Sequence, residues 1–128
     1  MKYYINREIK MDFEPAIEKV TEELKKEGFG VLSEIDVSET LKKKLDVDFP
    51  KYRILGACNP EFAHKALQHE EKIGTMLPCN VIVRQIENDY VEVAAVDPIA
   101  SMQAVENEKL AEIANEVKTR LTKVITQL

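Results

Sequence analysis

Both cysteines and both histidines of this chain fall between positions 58 and 80, and an asparagine follows each cysteine. Cys58-Asn59 ends one apolar run, Tyr52 to Cys58. Cys79-Asn80 lies near the start of another, Met76 to Glu87. A thiolate is a nucleophile and a soft metal ligand, and the positive end of a helix favours it over the thiol. Cys58 directly precedes Asn59-Pro60, a helix start with Asn at the cap and Pro in the first turn. If the two runs are neighbouring strands, the sulfurs come close together. One reading is therefore a thiol site that binds a soft metal, forms a reversible disulfide or holds a small electrophile. Its ligand-binding residues are Cys58, Asn59, His64, Cys79 and Asn80. The competing reading makes both cysteines small buried hydrophobes, because free Cys is among the most buried residue types. Asn59 is then only a cap, and Asn80 satisfies backbone near Pro78.

His64 falls near the start of the same helix and can lean towards Cys58 as the base of a nucleophile pair. His69 is five residues further on, about 140° around a helix, so the two histidines cannot share a face. Neither Cys-x-x-Cys nor His-Glu-x-x-His occurs, so no closed zinc site is expected. No two carboxylates form an obvious acid–base pair, and Asp97 before Pro98 reads as a cap. The residues spell no recognisable catalytic constellation, name no cofactor and leave open whether the protein is an enzyme.

Hydrophobic periodicity gives the elements that must position these groups. Lys2 to Ile9 alternates as a strand, with Tyr3, Ile5 and Ile9 on one face. Asp12 looks like a cap. Phe13, Ala16, Ile17, Val20 and Leu24 form a helical stripe that stops at Gly28. Phe29 to Val37 reads as a strand with Phe29, Val31, Ile35 and Val37 on one face and Glu34 and Asp36 in solvent. Ser38 is placed to cap a short helix over 39–45, with Leu41 and Leu45 inward. Tyr52 to Cys58 is a third strand. Gly56 weakens it, and so marks a bulge or a close approach by another group. The helix after Pro60 turns Phe62, Ala63, Ala66 and Leu67 inward and ends near Lys72.

The strand over 76–87 carries Pro78 near its start, which suggests an edge or a bulge there. Asn88-Asp89 is a hairpin signal, so the return strand over 90–96 is antiparallel to it. A turn or two of helix is expected over 99–105. Asn107 caps a last helix with the stripe Leu110, Ile113, Ala114, Val117, Leu121, Val124, Ile125 and Leu128. The simplest solution is one α+β domain over 1–128: a single antiparallel-rich sheet of about five strands with helices on one face. The alternative is a mixed sandwich with some parallel pairs. Tyr3, Tyr4, Tyr52 and Tyr90 are suited to line a pocket or a dimer surface.

Bulk properties narrow the partners. The formal charge is −5, and the longest basic run, Lys42-Lys43-Lys44, reads as a solvated helix face. Nucleic acid is therefore not expected. No run approaches the ~18 apolar residues of a membrane span, and the first residues lack an apolar signal core. A cytoplasmic protein with free thiols is the expectation.

The segments Gly56-Ala57-Cys58-Asn59-Pro60, Ala63-His64-Lys65-Ala66-Leu67, Leu77-Pro78-Cys79-Asn80-Val81 and Asp97-Pro98 resemble the domain of unknown function 302 family along essentially the whole chain. Thr75-Met76 departs from the Leu-rich residues more usual there. The resemblance implies a sheet backed by helices, resembling half of the TATA-binding protein fold, and a homodimer. It implies no activity. Two functions remain: a ligand- or thiol-binding domain with its cleft at the cysteines, or a non-catalytic homodimeric interaction module with buried cysteines.

Overall fold

The computed structural model describes residues 2–128. Five strands form one sheet: β1 (Tyr4–Lys10), β2 (Gly30–Asp36), β3 (Tyr52–Cys58), β4 (Cys79–Glu87) and β5 (Tyr90–Val96). Their order is β1-β5-β4-β3-β2, and all four pairings are antiparallel. This settles the choice between the expected sheet and the mixed sandwich. The first two strands become the two edges, so the helix between them must cross the whole sheet. That helix is α1 (Phe13–Lys26), and its five expected stripe residues are all buried.

The end of α1 explains its glycine. Gly28 has φ of +86°, a left-handed conformation. Its N–H donates to the Lys25 carbonyl, and the N–H of Phe29 to Leu24. This is the Schellman closure, with Phe29 and Leu24 both in the core beneath it. Asp12 stands at the other end, but its side chain makes no capping bond.

Helix α2 (Val37–Leu45) is capped by Asp36, whose carboxylate accepts from the Glu39 N–H. The expected cap, Ser38, instead donates its hydroxyl to Asp36. No residue of α2 is buried, and Leu45 is 66% exposed rather than inward. In β2 the register shifts between Val31 and Ser33. That bulge puts Val31 opposite Ala57 on the covered face and Ile35 opposite Ile54 on the other. The two were expected together, and one extra residue separates them. Glu34 and Asp36 are not simply solvated either. Arg53 pairs with both and with Glu14 of α1, while its guanidinium lies 5.3 Å from the Phe13 ring centroid.

Helix α3 (Pro60–His69) stops three residues short of Lys72, and Leu67 faces solvent. A 3-10 turn over Ile73–Met76 follows and buries Ile73. Pairing of β4 therefore begins at Cys79. Pro78 lies just outside the ladder, so β4 runs through the interior of the sheet and is not an edge. Asp97 caps α4 (Pro98–Ser101), a single turn at the start of the stretch where one or two turns are expected. Asn107 caps α5 (Glu108–Thr126) through the Lys109 N–H. The α5 stripe is buried apart from Ile113, which is partly covered.

Helices α1, α3 and α5 thus lie over one sheet face. Leu55, Ala57, Val81, Val83, Val91, Val93 and Ala95 meet them there. The opposite face carries alternate residues of every strand and remains open. Across its middle runs the row Asn6, Ala94, Ile82, Ile54, Ile35, each opposite the next in the strand register.

Candidate functional site

The β3–β4 pairing sets Cys79 opposite Ala57, so Cys79 points into the covered face and Cys58 follows one residue later at the strand end. Both cysteines and Asn59 line one cavity with Phe29, Phe62 and Leu77. The sequence-based juxtaposition of the two sulfurs at a helix start is therefore present. Its volume is about 30 Å3, room for one or two waters. The walls are almost wholly apolar, so a water there would find few partners.

Burial pushes the Cys79 thiol up to about 11, with the neighbouring Cys58 adding to the effect. At neutral pH Cys79 is a thiol, not a thiolate, and behaves as a small hydrophobe. Cys58 is partly exposed. Neither cysteine is in a disulfide.

Asn59 is only 8% exposed and both ends of its amide are used. Its oxygen accepts from the Phe62 N–H at 3.4 Å, and its nitrogen donates to the Glu27 carbonyl at 3.4 Å. Arg120 of α5 donates to the same carbonyl at 3.2 Å and stacks on Phe62 at 5.1 Å. Asn59 thus ties the end of α1 to α3, and Arg120 joins α5 to the same carbonyl. Gly28 lies directly under it: a Cβ there would meet Asn59 Nδ2 at 2.8 Å.

The other two candidates go elsewhere. His64 is exposed on α3 and does not line the cavity. Asn80 is exposed on the open sheet face. Alternation explains this: Asn80 follows the inward Cys79, so it must point the other way. Among the described residues, no group of three or more His, Cys, Asp or Glu side chains is placed to hold a metal ion.

Asn80 belongs to a second concavity, a groove of about 600 Å3 on the open face. Tyr3, Tyr4 and Tyr52 line it, with Ile82, Arg84 and Glu92 among the other residues. Arg84 Nε donates to one Glu92 oxygen at 2.6 Å, and Asn6 Nδ2 to the other at 2.7 Å. Burial alone would raise the Glu92 pKa. The bonds from Asn6 and Arg84 and the charges of Arg84 and Lys2 outweigh it and hold the carboxyl below its ordinary value. Sequence reasoning identified the tyrosines but missed Arg84 and Glu92. A regular hairpin around Asn88-Asp89 would have set Glu92 opposite Gln85. A bulge between Gln85 and Glu87 moves it opposite Arg84.

Fold and site define a class: an open-faced α+β domain with a backed antiparallel sheet and one bare sheet surface. The family model described as domain of unknown function DUF302 matches residues 5–128, and the chain belongs to that family. It is similar to a solved structure described as an uncharacterized conserved protein DUF302 from Bacillus stearothermophilus. The two are 30% identical, cover 99% of this chain and 98% of that one, and superpose with a TM-score of 0.91. No curated protein matches the chain. No helix among the described residues is long and apolar enough to cross a membrane.

Proposed function

We propose that this protein is a non-catalytic interaction module that pairs with a second copy of itself through the open sheet face. One observation carries the reading: the apolar row Ala94, Ile82, Ile54 and Ile35 crosses the sheet with no helix above it. Nearby, Leu45, Val47 and Phe49 are 66%, 43% and 46% exposed, and Phe49 lies 6.2 Å from Tyr52 on that face. Isolated exposed apolar residues need no explanation, but a continuous band marks an interface.

The size suits a twin. Five strands about 4.8 Å apart, each of seven residues or more rising about 3.3 Å, give a face of roughly 550 Å2 in projection. Adding Leu45, Val47 and Phe49 brings it towards the ~800 Å2 per partner of a standard interface. A two-fold axis lays the same apolar row on itself, so the surface is its own complement. Of the charges on the face, Arg84 and Glu92 are paired within one chain, and Glu8 and Lys10 stand at its β1 edge. The other reading, a ligand cleft at the cysteines, is weakened by a cavity of about 30 Å3 and a thiol held at about 11.

Sedimentation equilibrium tests this. At about 100 µM the protein should sediment at twice its 14.6 kDa chain mass. Ile35→Glu combined with Phe49→Glu should return it to a single chain without loss of helical signal. Both positions are exposed, so neither change burdens the core. A wild-type protein of single-chain mass, or a double variant that still pairs, contradicts the proposal.

A further inference from the structure

The geometry points to a small-molecule site in the open-face groove, one that takes an uncharged planar ring compound carrying a carbonyl acceptor. Aryl amides and nucleobase-like lactams are of this class. The groove is built by one chain alone. It shares Ile82 and Ala94 with the pairing row, so a ligand and a second copy compete for this part of the face.

Three features select the ligand. First, a volume of about 600 Å3 falls in the range of small-molecule sites. Second, the walls are aromatic and the floor aliphatic. Tyr3 and Tyr4 meet edge to face with ring centroids 5.0 Å apart, Tyr52 stands across the groove, and Ile82, Ala94 and Val96 lie between. Flat rings stack on such walls with little ordering cost, since tyrosines have few rotamers to lose.

Third, the polar end is fixed and electrically balanced. Glu92 has only 15% of its side chain exposed and grips Arg84 through Nε. Arg84 is 44% exposed, and among the described residues its two terminal nitrogens bond no side chain. A guanidinium carries five N–H donors, so donors remain to face the groove in a fixed direction. Asn80, exposed beside them, offers a further amide. Among the described lining residues the charges of Arg84 and Glu92 cancel, and the next charges out, Lys2 over the Tyr4 ring and Glu8 opposite Glu92, oppose each other in sign as well. An anionic ligand drawn to Arg84 would also approach the Glu92 carboxylate. A neutral carbonyl takes the donors without that repulsion.

Amide-resolved NMR titration with benzamide and benzoate as probes tests the site. Benzamide should shift resonances of β4, β5 and the start of β1 around Ile82 and Ala94, saturating with a Kd of about 1 mM, as expected for so small a ligand. Benzoate should bind at least tenfold more weakly. Arg84→Met should weaken benzamide at least tenfold. Glu92→Gln, which removes the competing carboxylate, should reverse the order and favour benzoate. A merely structural Glu92 would not produce that reversal. Tyr3 is 69% exposed, so Tyr3→Ala cannot disturb the fold and should still weaken benzamide severalfold. The Ile35→Glu, Phe49→Glu protein, held as a single chain, should bind benzamide at least as tightly as the wild type, so failure of pairing and failure of this site are told apart. Unsaturable shifts, shifts centred on the cysteine cavity, benzoate binding equal to benzamide, or indifference to both Arg84→Met and Tyr3→Ala would each overturn the assignment.

Discussion

Gly56 lacks a side chain because two neighbours occupy the space where one would go. A Cβ there would collide with the Ser33 hydroxyl and come within 2.9 Å of Pro78 Cγ. The neighbouring strand bulges at Val31–Ser33, so the glycine answers both a bulge and a close approach. Gly56→Ala should destabilise the protein by about 1–3 kcal/mol, the usual cost of overpacking, measured as a lower urea midpoint. Adding Ser33→Ala should recover part of the loss, and an unchanged midpoint in the single variant would refute the crowding. Cys79 is governed by burial in the same way. With a pKa of about 11, only about one part in a thousand is thiolate at pH 8. In a Cys58→Ser background, iodoacetamide should label Cys79 slowly at pH 8, and the rate should climb about tenfold per pH unit towards 10. Rapid labelling at pH 7 would contradict a sealed thiol and revive the thiol-site reading.

At the scale of elements, caps and cross-ties decide how helices meet the sheet. Asp97 ends β5 and starts α4 by accepting from the Ile99 and Ala100 N–H groups, and Lys118 of α5 reaches it at 2.9 Å. One carboxylate therefore fixes the angle between a strand and two helices. Burial would raise its pKa, but the bonds from Lys118, Ile99 and Ala100 outweigh that and hold it below the ordinary 3.8. The folded value is the lower one, so the stabilisation is complete above pH 3.8 and fades as pH falls through the folded value. Asp97→Asn keeps an acceptor but loses the charge. It should cost about 0.5–1 kcal/mol at pH 7, read as a lower melting temperature. The gap from wild type should close below pH 3.8; a gap that persists at pH 2 would show that charge is not the cause.

The whole molecule is a two-layer structure, with helices on one side of the sheet and none on the other. Three helices cover one sheet face, and the other presents an apolar row, a tyrosine-lined groove and a self-neutralised Arg84–Glu92 pair. A surface that pairs with its own copy makes stability depend on concentration, because association binds the folded state alone. The melting temperature should rise by a few degrees between 2 and 200 µM and stay flat for the Ile35→Glu, Phe49→Glu variant. A flat wild-type curve would count against pairing.

Local rules settled much in advance. The stripes of α1 and α5, the Gly28 stop, the Asn59, Asp97 and Asn107 cap positions and the Asn88-Asp89 hairpin all depend on residues within a few positions of one another, and so were legible in the chain. So was the meeting of Cys58, Asn59 and Cys79 at one strand end, once β3 and β4 lay side by side. Two bulges were not legible, and each moves side chains by one place. One parts Ile35 from Val31, and the other brings Arg84 opposite Glu92. Which helix residues face inward at the margins was equally hidden: Leu45 and Leu67 have the pattern of buried residues but nothing to bury against. Sequence spacing fixes which side chains share a face of an isolated element. Only the assembled sheet, with its order and its bulges, decides which face meets the helices and which is left open.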